Sequence, residues 1–309
     1  MKLASILIDG RAVPAVVDAA GRTVRPLDRC LPGWTGDMLD LVERYGSLRA
    51  FLRDAAASND AGAAAAAVPL ASVKLLAPFP RLRRNIFCVG KNYRDHAQEF
   101  GHSGFDSSVS AGTGGKPPTD VIPAAPIIFT KPPESVIADG EPIRYPAGIS
   151  DSVDYEAELA VVIGTGGRGI SRERAYDHVF GYTIVNDVTA RDWQGRHKQW
   201  FLGKSFDTFC PMGPWVVTAD EVDADNLGVR CRVNGELRQD ANTRDLIFDI
   251  PTLIETISAG ITLYPGDVIA TGTPAGVGIG FSPPRFLKPG DEVAIEIDGI
   301  GRLSNTVRA

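Results

Sequence analysis

The run Asp154-Tyr155-Glu156-Ala157-Glu158-Leu159-Ala160-Val161-Val162-Ile163 sets two carboxylates in what otherwise reads as a buried strand. Side chains alternate between the faces of a strand, so Glu156 and Glu158 point the same way and stand close together. Like charges that close repel, and each raises the other's pKa. Two readings remove the conflict. A divalent cation between the carboxylates does so, because hard oxygen ligands suit Mg²⁺, Mn²⁺ and Ca²⁺. A solvent-facing edge strand does so too, with Tyr155, Ala157, Leu159 and Val161 turned inward and both glutamates in water.

The chain around this run is globular in composition: 309 residues, 44% hydrophobic and 23% charged, enough for one large domain and a smaller one. A net charge of -6 with no Lys/Arg-rich run argues against a nucleic-acid partner. Charge interrupts the N-terminal Met1–Asp9 too early for a secretory segment, and no stretch is apolar for the ~18 residues a membrane span needs. The reading is a cytoplasmic protein without membrane attachment. Cys30, Cys88, Cys210 and Cys231 lack metal-ligand spacing and suit buried thiols in a reducing compartment.

Leu3 to Ile8 and Ala12 to Val17 flank Asp9-Gly10 as a type I′ hairpin. Met38, Leu41, Val42, Tyr45, Leu48, Phe51 and Leu52 recur at helical spacing, with a break expected at Gly46-Ser47 that would give two short helices. The alanine-rich run 55–67 reads as a linker or frayed helix end, so residues 1–75 are expected to form a small accessory domain and 76–309 the larger one. Beyond it, Asn234-Gly235 predicts a second hairpin and Pro251 to Ala259 a helix.

The larger segment carries the chemistry. Lys91 to Phe100 reads as a short helix with His96 and Glu99 at i, i+3, where a carboxylate can orient an imidazole as a general base. The long polar stretch Gly101 to Ala125 has the character of a lid. Asp187 ends the strand Phe180–Asn186 and adds a third oxygen ligand to the glutamate pair. Arg191 and Gln194 start from the same strand end on one helix face, with Thr189 as the expected N-cap. Lys204, in an aromatic loop, can polarise a carbonyl or stabilise an enolate. Lys131 sits where a strand meets Pro132-Pro133 and can aim a cation into a cleft, or stay solvated at the surface. The loop Ala270 to Gly278 exposes backbone N–H groups that could hold a substrate carboxylate with help from the Thr273 hydroxyl, or is a plain β connection. Gly164 to Gly169 lacks the strand-to-helix fingerprint of a dinucleotide loop.

Five ordered motifs carry a resemblance: Gly90-Lys91-Asn92-Tyr93, Asp154 to Leu159, Asn186 to Asp192, Gly203-Lys204-Ser205-Phe206-Asp207 and Thr271-Gly272-Thr273-Pro274. From about residue 75 onward the chain resembles the fumarylacetoacetate hydrolase family. The resemblance implies an α+β, β-rich fold, a mixed β-sandwich roll, with a small N-terminal accessory domain. It also implies a homodimer, a divalent metal (Mg²⁺ or Mn²⁺, with Ca²⁺ able to substitute) on Glu156, Glu158 and Asp187, a His96/Glu99 dyad on a closing lid, and Lys204 and Gln194 facing substrate. The fumarylacetoacetase type carries a further aspartate ligand seven residues before its histidine. That position is Val89 here, which points to the acylpyruvase, isomerase and decarboxylase branch. The leading expectation is metal-dependent hydrolysis of a carbon–carbon bond in a 2,4-dioxo acid such as an acylpyruvate. The alternative is isomerisation of a 2-hydroxydienoate or decarboxylation of oxaloacetate, since all three pass through a 2-oxo acid enolate.

Overall fold

The computed structural model describes residues 1–18, 20, 22–57, 66–102 and 122–309. Most of the expected lid (103–121) and of the expected linker (58–65) lie outside the described residues.

Two sheets pack face to face. The larger, mixed sheet runs in the order Val68–Pro69, Thr23–Pro26, Arg11–Val17, Lys2–Ile8, Cys210–Thr218, Val179–Asn186, Ala157–Ile163, Val268–Ala270, Ile86–Gly90, Ile127–Lys131. Its pairs are antiparallel except where Val268–Ala270 runs parallel to Ile86–Gly90 and where the two-residue strand Val136–Ile137 runs parallel to Cys210–Thr218. A five-stranded sheet (Glu236–Asn242, Gly228–Val233, Glu292–Ile297, Gly301–Arg308, Ile143–Arg144) covers one face. Between them Leu159, Val161 and Ile163 meet Val229, Cys231, Val293 and Ile295. On the opposite face Ala160, Val162 and Val185 pack under Met38, Leu41, Leu48 and Leu52 of the helix Met38–Ala57. The strand Ala157–Ile163 is thus covered on both sides, which is why Leu159 to Ile163 reads as an unbroken apolar run and why every residue of the strand is buried. A solvent-facing edge strand is ruled out, so Glu156 and Glu158 are buried carboxylates.

Local turns follow their residues. Asp9 and Gly10 have φ of 48° and 76°, Asn234 and Gly235 50° and 81°, as hairpin turns of this type require. Two expectations fail locally, and the helix expected near Pro251 is present. The helix Met38–Ala57 passes through Gly46 without a break, because Leu48 and Leu52 anchor its second half to the sheet, each worth roughly 1.5–3 kcal/mol when buried. Thr189 is in a short strand and donates to the Asp187 carbonyl, leaving the helix Arg191–Arg196 with Ala190 at its N-cap and no side-chain cap. The later helix is Ile250–Ser258, capped by Asp249 through the Thr252 N–H at 3.0 Å. Residues 1–75 join the larger sheet through Lys2↔Val217 and Leu3↔Val216, and Lys74–Leu76 pairs with Lys2–Ile8. No helix among the described residues is long and apolar enough to cross a membrane.

Candidate active site and metal centre

The carboxylates of Glu156, Glu158 and Asp187 each bring an oxygen within 4.8 Å of the others, all buried. The backbone achieves this by a local break. Glu156 lies just outside the strand, its N–H donating to the Asn186 side-chain carbonyl at 3.0 Å and its carbonyl accepting from the Asp187 N–H at 2.9 Å. Three cations stand against the cluster. Lys204 Nζ reaches Glu156 at 2.7 Å and Asp187 at 2.9 Å, Lys131 Nζ reaches Asp187 at 2.6 Å, and Arg191 spans Glu156 at 2.7 Å and Asp154 at 2.8 Å.

Charge balance sets the titration. Burial pushes Glu156 up, but Lys204, Arg191 and His96 outweigh it and leave the carboxyl at about 2. Burial pushes Lys204 down, and Asp187 and Glu156 more than reverse this. Glu158 differs: among the described residues no cation lies within ion-pair distance of it, and it accepts the Gly272 N–H at 2.8 Å. Burial first, then Asp187 and Glu156, raise its carboxyl well above the usual range. An all-oxygen donor set with one uncompensated buried carboxylate fits a hard divalent cation.

The same pocket is lined by His96, Arg191, Gln194, Lys204 and Thr273, with Val89 in the wall where the fumarylacetoacetase type carries aspartate. His96 and Glu99 lie on the helix Arg94–His102, Nδ1 3.4 Å from Oε2, the ring seated by Phe100 at a centroid distance of 6.1 Å. Phe100, Trp200, Val277 and Ile279 form an apolar cluster over the site. Gly90 makes room there, since a β-carbon on it would overlap the Trp200 ring. Arg191 is fully buried and bonds Gln194 Oε1 at 3.2 Å, and among the described residues its Nη2 has no hydrogen-bond partner.

Lys131 is placed otherwise than expected. It is neither solvated nor in the pocket wall: it is fully buried behind Asp187, and Nζ also donates to the Val188 carbonyl at 3.1 Å and to the Lys204 carbonyl. Its short strand ends inside the molecule rather than at a cleft. The loop after Val268–Ala270 also departs from expectation. Four N–H groups in the loop and at its end are taken by the protein's own carboxylates: Gly272 by Glu158, Gly276 by Glu99, Gly278 and Ile279 by Asp154. Thr273 does line the pocket, its hydroxyl accepting from Gln239 Nε2 at 2.8 Å. Asp154 and Gln239 were not singled out in the sequence. Asp154 shares the face of Glu156 by strand alternation, a usable signal. Gln239 sits in a polar hairpin and gives none, yet it is fully buried and also accepts the Ala157 N–H at 3.0 Å.

Residues 85–308 match the family described as Fumarylacetoacetate (FAA) hydrolase C-terminal. The chain belongs to the fumarylacetoacetate hydrolase family. Among relatives of this family, oxaloacetate tautomerase YisK of Bacillus subtilis is 53% identical over 239 residues, 77% of this chain and 74% of the relative. The human mitochondrial oxaloacetate tautomerase FAHD2A is 46% identical over 243 residues, 78% of this chain and 71% of the relative. Among solved structures, a fumarylacetoacetate hydrolase from Exiguobacterium antarcticum superposes with a TM-score of 0.80 at 40% identity, covering 100% of this chain and 99% of that one. Maleylpyruvate hydrolase from Sphingobium sp. SYK-6, in complex with manganese(II) and pyruvate, gives 0.76 at 34% identity with the same coverage. The family and the β-rich α+β fold expected from the sequence are both borne out. Between the two chemistries expected from the sequence, the tautomerase relatives favour the enolate isomerisation branch over carbon–carbon hydrolysis.

Proposed function

We propose that this chain is a divalent-metal-dependent tautomerase of 2-oxo acids of the oxaloacetate class, interconverting enol and keto forms. The observation that carries the reading is the junction of three buried carboxylates with a pocket-lining imidazole whose other nitrogen faces a carboxylate. The names of the tautomerase relatives support the substrate class.

Glu156, Glu158 and Asp187 would hold the ion, with Mg²⁺ or Mn²⁺ the natural choices for oxygen donors. A divalent cation there supplies Lewis-acid polarisation of a 2-oxo group and lowers the cost of an enolate. The protein's residues do the rest. Glu99 accepts from His96 Nδ1, which fixes the tautomer that leaves Nε2 basic. His96 takes the proton from carbon 3 and delivers it to the enolate oxygen, or carries it the other way, so that one imidazole moves one proton between the two atoms and ends each turnover neutral. Lys204, held cationic by Glu156 and Asp187, stabilises charge developing on that oxygen. Arg191, through its unpartnered Nη2, and Gln194 bind a substrate carboxylate, and Thr273 lines the same wall. Phe100 and Trp200 keep water from the enolate. A homodimer is part of the proposal and is checked by light scattering.

The test is the decay of enol-oxaloacetate absorbance with Mg²⁺ or Mn²⁺, run beside acylpyruvate cleavage and oxaloacetate decarboxylation. Metal-stimulated ketonisation is expected, with His96→Ala lowering kcat by about 100-fold or more. Cleavage of the acylpyruvate with no effect on enol decay would return the assignment to hydrolysis.

A further inference from the structure

One loop turns its backbone toward the candidate dyad. The Gly276 N–H points between the two oxygens of Glu99, 3.1 Å from Oε1 and 3.2 Å from Oε2. Gly276 itself cannot shift easily. Its carbonyl accepts the Tyr155 hydroxyl at 2.9 Å, its φ of 99° suits glycine, and a β-carbon there would overlap the Arg238 carbonyl. Tyr155 is fully buried and next to Glu156 in the chain, so the loop is pinned by the same segment that presents the metal ligand. Four residues on, Gly280 leaves the space in which the Glu99 carboxylate lies. A β-carbon on Gly280 would overlap Glu99 from Cγ to Oε1. Gly280 has an ordinary backbone conformation and is exposed, and the atoms it would strike are the tip of a flexible side chain. An added methyl is therefore relieved by moving Glu99, not by unfolding the loop.

We propose that the Gly276–Gly280 loop is a seat that orients Glu99 toward His96, with Gly276 and Gly280 as positioning residues for proton transfer. This rests on the dyad reading above. A bare glutamate at i+3 on a short helix has several rotamers within reach of the imidazole. The seat selects one, with a hydrogen bond to each oxygen and a steric floor beneath. It thereby ties the acid–base helix to the metal-ligand strand, so that both halves of the site keep their separation.

The test uses the full chain. With oxaloacetate and saturating Mn²⁺, Gly280→Ala is expected to lower kcat roughly 10- to 100-fold, as Glu99→Gln does, with KM, melting temperature and Mn²⁺ affinity within about twofold or unchanged. Gly280→Ala/Glu99→Gln is expected to be no slower than either single variant, because both act through one carboxylate. In metal-free protein labelled with ¹⁵N-glycine, the Gly276 amide proton is expected upfield of wild type in Glu99→Gln and in Gly280→Ala alike, reporting a lost charged acceptor whether or not the protein turns over. A Gly276 resonance unmoved by Glu99→Gln overturns the seat even if Gly280→Ala does not fold. Wild-type kcat in Gly280→Ala, or additive losses in the double variant, overturns it while leaving the dyad intact. Wild-type kcat in Glu99→Gln removes the dyad itself, and the seat with it.

Discussion

Lys131 shows how a single side chain changes meaning with its surroundings. A lysine after a strand and before two prolines is ordinarily at the surface. Here its ammonium has three acceptors and no exposure: the Asp187 carboxylate and the carbonyls of Val188 and Lys204. It holds a metal-ligand carboxylate and the chain segment that carries Lys204, and it does both from behind the site. Lys131→Met is expected to destabilise the metal-free protein by about 3–5 kcal/mol, since a buried carboxylate and two carbonyls lose a donor at once. Divalent cation should recover part of that loss by pairing with Asp187. Thermal melts with and without Mg²⁺ check this: the variant should show a larger metal-induced rise than wild type, and a variant melting like wild type without metal would contradict it.

At the scale of elements, the helix Met38–Ala57 is set by tertiary contact against a weak local signal. Gly46 is exposed in mid-helix and a β-carbon on it would touch nothing. Gly46→Ala should therefore stabilise by about 0.5–1 kcal/mol, read from the midpoint of urea unfolding. The helix is also tethered by charge. Arg49 and Arg53 both reach Asp220, which follows the strand Cys210–Thr218. Burial pushes the Asp220 carboxyl up, but hydrogen bonds from Thr218, Arg53 and Arg49 outweigh it and hold it below its ordinary value. A carboxyl depressed in the folded state binds more protons unfolded. Its stabilisation is present above about pH 4, the unfolded value, and is lost as pH falls toward the folded one. With half-exposed arginines it is worth about 0.5–1 kcal/mol at neutral pH. Asp220→Asn should lower the unfolding free energy by that amount at pH 7 and by progressively less below pH 4, and added salt should narrow the gap.

At the scale of the whole molecule, Lys2–Ile8 is an interior strand of the large sheet, bonded on one side to Arg11–Val17 and on the other to Cys210–Thr218. Leu3 and Val16 share a buried cluster with Val216, Met212 and Phe180. Deleting residues 1–75 would bare that apolar face and a sheet edge, so the shortened chain is expected to aggregate on expression, whereas a soluble monodisperse product would show that 76–309 folds by itself. By its own residues the chain determined the hairpins at Asp9-Gly10 and Asn234-Gly235, the helix that pairs His96 with Glu99, and the strand at which Glu156 and Glu158 face the same way. Each is written in local chemistry: a glycine turn, a three-residue helical offset, a two-residue alternation. Tertiary structure alone decided that the strand is central, that Lys131 turns inward, and that the N–H groups of Gly272, Gly276, Gly278 and Ile279 serve the protein's own acids. Those choices depend on partners such as Glu99 and Gly276, 177 residues apart. Periodicity marks which face of an element is apolar but carries no record of what will lie against it.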